Sequence, residues 1–267
     1  MDMITENKVV PKLRFKEFKD SWFIDKFSKY IKLYRGSSPR PISKYRTKNN
    51  GVNWIKIGDT KKSTNYEISS VEEQITFEGS LKSRKVEVGE LILANSMSFG
   101  KTYKLNISGC IYDGWFVLRE YQDDFYINFL HQLLNSNYMQ KQYIRFSTGG
   151  VVQNISSEIV YSTKICKPNL YEQQKIASFL SAIDEKLQQL TKKKELLEDY
   201  KKGIMQKIFS QEIRFKDDSG SEYPDWQEKK LGQVCSVVKG KQLNKSELTK
   251  SGLYPALNGG INPSGYT

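Results

Sequence analysis

The sequence predicts an α+β protein: a mixed α/β globule, one long helix of coiled-coil type, then the start of a second globule. Three observations lead there. Between about Phe18 and Pro168, short apolar or alternating runs are separated by Gly, Ser and Asn clusters, the pattern of strands joined by turns. From Ile176 to Ile208, large apolar residues recur at steps of three, four and seven, which marks a helix laid along another helix. After Gln211 the motifs that open the chain return, as in an internal repeat. The expected divisions are residues 1–169, 170–210 and 211–267.

In the first region, Asn53–Ile57, Glu90–Ala94 and Gly114–Leu118 read as strands, with turns at Arg35–Ser38 and Thr148–Gly150. One helix is expected over Tyr126–Phe146, where Ile127, Leu130, Leu134, Tyr138 and Met139 have helical spacing. The second region is punctuated by Pro168, and no proline follows until Pro224. One seam position reads Ile176, Ile183, Leu190, Leu197 and Ile204; the other reads Leu180, Leu187, Lys194, Lys201 and Ile208. A helix over Tyr171–Phe209 is roughly 58 Å long. A small domain cannot cover such a stripe, so Ile176, Leu180, Ile183, Leu187, Leu190, Leu197, Ile204 and Ile208 are the expected helix–helix packing residues. Lys194 and Lys201 either fix the register of a partner or snorkel out of a loosened stretch near Gly203.

The third region repeats the first. Leu13-Arg14-Phe15-Lys16 returns as Ile213-Arg214-Phe215-Lys216, Trp22 as Trp226, and Arg35-Gly36 as Lys239-Gly240. The second copy runs for only some 45 residues, so the expectation is a second domain that is incomplete.

Charge narrows the partners. The 267 residues hold 42 Lys+Arg against 30 Asp+Glu, a net +12, and the sequence pI is about 9.3. Residues 12–56 alone carry 13 basic and three acidic residues. Such a surplus points to a polyanion; a basic protein without such a partner is the alternative on charge alone. Three cysteines in no CxxC pattern, and a single histidine, argue against disulfide frameworks, zinc sites and histidine-based triads. His131 reads as a structural histidine. No phosphate-binding glycine loop, nucleophile elbow or paired-proline methyltransferase site is present. No catalytic or metal-ligating residue is assigned, no membrane partner is expected, and a reducing cytoplasm fits the cysteine usage.

Two loops suit DNA. Arg35-Gly36-Ser37-Ser38-Pro39-Arg40 offers two arginines for guanine edges. Ser96-Met97-Ser98-Phe99-Gly100-Lys101-Thr102-Tyr103 offers hydroxyls, a glycine and a lysine for phosphates. With the basic stretch, the candidate DNA contacts are Arg35, Ser37, Ser38, Arg40, Lys44, Arg46, Lys56, Ser96, Ser98, Lys101 and Tyr103.

Pro168-Asn169-Leu170-Tyr171-Glu172-Gln173-Gln174-Lys175-Ile176-Ala177, continuing through Leu180 and Ile183-Asp184, resembles the P-x-x-x-E-Q-x-x-I-A opening of the long helix of type I restriction–modification specificity subunits. Trp54-Ile55-Lys56-Ile57-Gly58-Asp59 resembles a strand of their target recognition domains. Val88–Ala94 with Phe99-Gly100-Lys101, and Gly150–Ile155, resemble further segments, with Glu90 where the family has Asp. The resemblance implies a non-catalytic subunit that reads one half of a bipartite double-stranded DNA site. It implies type I modification (methyltransferase) and restriction/translocase subunits as partners. S-adenosylmethionine, ATP and Mg would sit on those subunits, with no cofactor on this chain. The helix would act as spacer and docking rod. The uncovered stripe from Ile176 to Ile208 itself makes residues 171–209 the expected homodimer contact where no second helix is supplied. The residues alone leave two other readings open: a helix-mediated oligomeric polyanion-binding protein, and an unassembled fragment or silent-cassette product.

Overall fold

Four consecutive apolar residues, Leu91–Ala94, are wholly buried, and the architecture follows from that fact. A strand buried on both faces lies in the middle of a layered domain. The computed structural model describes residues 8–96, 100–147, 154–241, 243–257 and 259–267. The chain divides within its long helix into two units, Met1–Leu197 and Glu198–Thr267.

The strands of the first unit are β1 (Lys8–Val9), β2 (Trp22–Lys26), β3 (Lys32–Arg35), β4 (Arg46–Thr47), β5 (Val52–Ile55), β6 (Glu67–Ile68), β7 (Glu73–Ile75), β8 (Arg84–Val86), β9 (Leu91–Ala94), β10 (Thr102–Leu105), β11 (Gly109–Ile111), β12 (Trp115–Arg119) and β13 (Lys164–Lys167). Its helices are α1 (Ile42–Tyr45), α2 (Phe77–Leu81), α3 (Ile127–Asn135), α4 (Asn137–Ser147), α5 (Ser157–Ser162) and α6 (Leu170–Phe209), the last running on into the second unit. Three sheets result, in the orders β1-β2-β13, β3-β12-β9-β10-β6 and β4-β7-β5-β11-β8. β10 with β6 and β11 with β5 are parallel.

The period-two alternation of β9 explains the layering. Leu91 and Leu93, with Phe116 and Leu118 of β12, face a cluster holding Leu130 and Leu134 of α3, Tyr143 of α4, Val160 of α5 and Ala177 of α6. Ile92 and Ala94, with Trp115 and Val117, face Ile55, Val86 and Ile111 of the neighbouring sheet. Helices, a central sheet and an outer sheet therefore stack in that order.

The single helix expected over Tyr126–Phe146 is two, α3 and α4, broken at Ser136, whose backbone is extended. The Asn135 side chain accepts from Thr102 N at 3.0 Å and donates to Thr102 O at 2.8 Å. Ser136 Oγ accepts from Met139 N at 3.4 Å. Short polar side chains here give the backbone partners that compete with the helical ladder. The strand expected over Asn53–Ile57 ends at Ile55, and Ile57–Lys62 is a 3-10 helix.

Helix α6 spans 40 residues, about 60 Å, and begins one residue before the expected Tyr171. Asn169 Oδ1 accepts from Glu172 N at 2.9 Å and caps it. Ile176 packs against the core of the first unit. Beyond it, Ile183, Leu187, Leu190 and Leu197 are 43–57% exposed. Leu180, Ile204 and Ile208 are half-buried. The second unit adds α7 (Leu231–Val234) and the antiparallel pair β14 (Pro255–Ala256) and β15 (Gly265–Tyr266). None of its described residues is buried.

Candidate nucleic-acid interface

The chain leaving β3 is fastened to the β11–β12 turn. Gly36 N donates to Trp115 O and Ser37 N to Ile111 O, at 2.9 and 3.1 Å. A Cβ on Gly36 would lie 2.0 Å from Tyr112 O, so only glycine allows this approach. Asp113 then organises the loop. Its carboxylate accepts from Ser38 N and Oγ at 3.3 and 2.7 Å and pairs with Arg40 at 3.6 Å. Its carbonyl accepts from Arg35 Nε at 3.3 Å and from Asn95 Nδ2 at 2.8 Å. From the far side, Ser83 Oγ donates to Ser37 O at 2.6 Å and Arg84 Nε to Arg35 O at 3.2 Å.

This loop borders a cleft of about 470 Å³ lined by Ser38, Arg40, Arg46, Trp54, Lys56 and Tyr112, among others. Tyr112 also borders a second cleft with Arg35, Asn95, Ser96 and Asp113. Glu73 stands between two of the cations. Arg46 pairs with it at 2.9 Å, and Lys56 donates to it. The Lys56 hydrogen bond holds the Glu73 carboxyl below the usual carboxylate range. The Arg40 side chain is 81% exposed, which leaves it the most open of the three cations. Burial pushes the Tyr112 phenol up, so it stays a neutral donor and acceptor.

The structure thus gathers Arg35, Ser37, Ser38, Arg40, Arg46, Lys56 and Ser96 around two clefts that share Tyr112. The hydroxyl of Ser37 turns back to Lys82 O at 3.4 Å, so Ser37 serves the loop from within. Lys44 lies over the Tyr45 ring at 5.7 Å and Lys101 over Tyr66 at 5.4 Å, outside both linings. Ser98 lies outside the described residues. Tyr103, expected at the DNA face, is instead a core ring of β10: it is 5% exposed and packs edge-on against Tyr66 and Trp115. Alternation along β10 turns it inward, which a loop reading of 96–103 overlooked. Trp54, Glu73, Tyr112 and Asp113 were missed from sequence. The one available signal was Tyr112-Asp113-Gly114, a turn between two apolar strands.

Several motif residues are structural. Asp59 is buried and accepts from Lys56 N at 2.7 Å and Glu72 N at 3.1 Å; burial raises its carboxyl despite these bonds. Glu90 accepts from Arg119 at 2.6 and 3.2 Å. Gln173 accepts from Tyr126 N at 2.8 Å and donates to Asp124 O and Pro168 O, both at 2.9 Å. Gly100 has a left-handed φ of +68, which glycine adopts without strain. His131 is 7% exposed, its Nε2 is 3.1 Å from Thr102 O, and burial lowers its pKa. Among the described residues no His, Cys, Asp and Glu cluster could hold a metal ion, and no helix is long and apolar enough to cross a membrane.

These features define a class: a mixed-sheet domain with a basic, aromatic-lined loop face, whose last strand, β13, leads into a long helix. Residues 32–199 match the family described as the type I restriction modification DNA specificity domain, and the chain belongs to that family. It is 31% identical over 136 residues to the type I restriction enzyme MjaVIII specificity subunit of Methanocaldococcus jannaschii, covering 49% of this chain and 31% of that protein. It is 27% identical over 226 residues to the putative type I restriction enzyme MjaX specificity subunit of the same organism, covering 80% and 48%. The chain thus spans about a third to a half of the length of these curated relatives. Its fold is similar to a chain from a structure on complex assembly and conformational transition of the type I R-M system, with TM-score 0.56, 18% identity, and 73% and 46% of the two chains covered. It is also similar to the crystal structure of a type I restriction-modification system S subunit from M. genitalium, with TM-score 0.51, 17% identity, and 96% and 64% covered. The α+β expectation and the family resemblance both stand.

Proposed function

We propose that this chain reads one half of a bipartite double-stranded DNA site for a type I restriction–modification complex. The observation that carries the reading is the cleft of Arg40, Arg46, Lys56, Trp54 and Tyr112 within the family-matched region. Cations held in fixed positions around the cleft meet the phosphate backbone, and an arginine as open as Arg40 reaches a base edge. Glu73, shared by Arg46 and Lys56, gives way to phosphate when DNA arrives. The loop is fixed by its bonds to Asp113 and Ser83 before DNA binds, so little ordering entropy opposes recognition.

In this reading the chain supplies no catalytic group and binds no cofactor. Modification subunits carry S-adenosylmethionine, and restriction/translocase subunits carry ATP and Mg. Residues 1–169 form the reading domain. Helix α6 is the spacer and dock, and its exposed stripe pairs with a second helix, from a second copy where no other is supplied. Residues 211–267 open a second reading domain. The protein works in the cytoplasm.

The test is equilibrium DNA binding across salt, with adenine methylation mapped in complexes reconstituted with modification subunits. Affinity should fall steeply with salt through counterion release. Arg40→Ala should cost about 1–3 kcal/mol of discrimination at one base position. A salt-insensitive interaction, or an Arg40→Ala complex with an unchanged methylation site and unchanged salt slope, would reject this interface.

A further inference from the structure

The outer face of the outer sheet carries a second feature beside the Arg40 cleft. Trp54 of β5, Ile75 of β7 and Cys110 of β11 point away from the central sheet and cluster with Ile42 of α1. Lys85 of β8 stands opposite Cys110 and shares that face. Helix α2 closes over it. Gly79 lies so near α1 that a Cβ there would sit 2.9 Å from the Cβ of Tyr45. Cys110 Sγ donates to Ser80 O at 3.8 Å, and Thr76 Oγ1 caps the helix by accepting from Gly79 N at 3.1 Å. With Gly79 and Ser80 turned inward, helical geometry turns Phe77 and Leu81, one turn apart, outward. They are 69% and 63% exposed.

Lysines surround the pair. Lys85 Nζ lies 5.9 Å from the centre of the Phe77 ring, and Lys82 and Lys44 lie 4.7 and 5.7 Å from that of Tyr45. Glu78, on the same side of α2, pairs with Lys82 at 3.3 Å. Protein docking patches are depleted in lysine, so exposed apolar groups ringed by ammonium groups fit a polyanion that also offers apolar points. The face is continuous with the Arg40 cleft. Ile42, Ser43 and Arg46, on and beside α1, line that cleft, and Tyr45 of the same helix meets α2 at Gly79. The chain leaving α2 also holds the reading loop, Ser83 Oγ donating to Ser37 O at 2.6 Å and Ser37 Oγ to Lys82 O at 3.4 Å.

We propose that Phe77 and Leu81 read a thymine in the major groove through its 5-methyl group. That methyl is the apolar mark by which thymine is told from the other bases there, and the neighbouring lysines meet the phosphates beside it. Packed helices lie about 8–10 Å apart. At about 3.4 Å per step, the thymine is therefore about three base pairs from the pair that Arg40 contacts. The assignment rests on the DNA-reading function proposed above and extends it from the arginine loop to α2.

The test uses a duplex carrying the site mapped by adenine methylation, bound by the full chain assembled with modification subunits. Each thymine of both strands is replaced in turn by deoxyuridine, which removes one methyl and nothing else. One such exchange should weaken wild-type binding about fourfold, the worth of one buried methyl. Phe77→Ala with Leu81→Ala should weaken binding to the thymine duplex at least as much and lose nothing further with deoxyuridine. The slope of log K against log salt should hold, since no charge is removed, and so should the urea midpoint, since both side chains are exposed. Indifference to deoxyuridine at every thymine overturns the proposal, as does a deoxyuridine loss that survives in the double variant. Normal DNA binding by the double variant, with weaker binding of modification subunits in sedimentation, would make the pair a protein dock and overturns it too. Where binding stays steep in salt and dependent on Arg40 through these failures, only the α2 assignment falls; an Arg40→Ala complex unchanged in site and slope removes both.

Discussion

Replacing Arg14 with alanine tests whether one buried ion pair fastens the N-terminal segment to the long helix. The variant leaves the Glu172 carboxylate, 0% exposed, without its two charge-assisted hydrogen bonds of 2.7 and 2.6 Å. Breaking a buried pair from one side costs about 3–5 kcal/mol, because the surviving charge stays desolvated. At about 1.36 kcal/mol per factor of ten, that is two to four powers of ten in the opening equilibrium. The segment is otherwise held by β1 pairing with β2 through Lys8↔Phe23 and Val9↔Trp22, by Phe15 against Phe179 and by an exposed ion pair of Glu17 with Lys175 at 3.5 Å. Hydrogen exchange should therefore show loss of protection at Val9 and at the first turns of α6 before the central sheet opens. Urea unfolding should report the destabilisation. Arg14→Met with Glu172→Leu should recover most of it, since a packed apolar pair removes both buried charges. A loss below about 1 kcal/mol for Arg14→Ala, the range of a surface pair, would refute this fastening.

Other outcomes follow from the same geometry. Ile183, Leu187, Leu190 and Leu197 are about half exposed; full burial of an exposed side chain is worth about 1.5–3 kcal/mol, so covering each of these gains about half of that. Sedimentation should show self-association of the chain alone, with a monomer for Leu187→Asp plus Leu190→Asp; a monomeric wild type would count against helix pairing. Glu73→Gln removes the acid shared by Arg46 and Lys56 and should tighten DNA binding at low salt. With one negative charge removed beside Arg46 and Lys56, the slope of log K against log salt should steepen by up to about one. An unchanged slope would take them out of the interface. The single histidine gives a pH signature. Burial depresses the folded pKa of His131, while the unfolded chain titrates near about 6.5. As pH falls below that value the unfolded state takes up a proton that the folded state refuses, so stability falls. Urea midpoints between about pH 7 and 5.5 should drop for the wild type and stay flatter for His131→Gln.

Periodicity and charge reached far into this molecule. Pro168 together with the seam from Ile176 to Ile208 located α6 to within one residue at its start, because a long amphipathic helix is set by local spacing and its start by a proline. The apolar run ending at Ala94 marked β9, and the basic loop Arg35–Arg40 marked a surface that the fold brings against Trp54 and Tyr112. What local pattern could not supply were pairings across the chain. Nothing around residue 73 says that Glu73 will lie between Arg46 and Lys56, or around residue 113 that Asp113 will hold Ser38 and Arg40. The break at Ser136 arose because Asn135 found Thr102, 33 positions away. Tyr103 read as a loop residue, and strand alternation against Trp115 made it core. The motif glutamate of α6 is the clearest case. Its sequence position marks a helix start, but only the folded chain brings Arg14 to it across 158 positions. Spacing along a chain decides which face of an element is apolar; which distant group meets that face is decided when the layers close and every buried charge must find a partner.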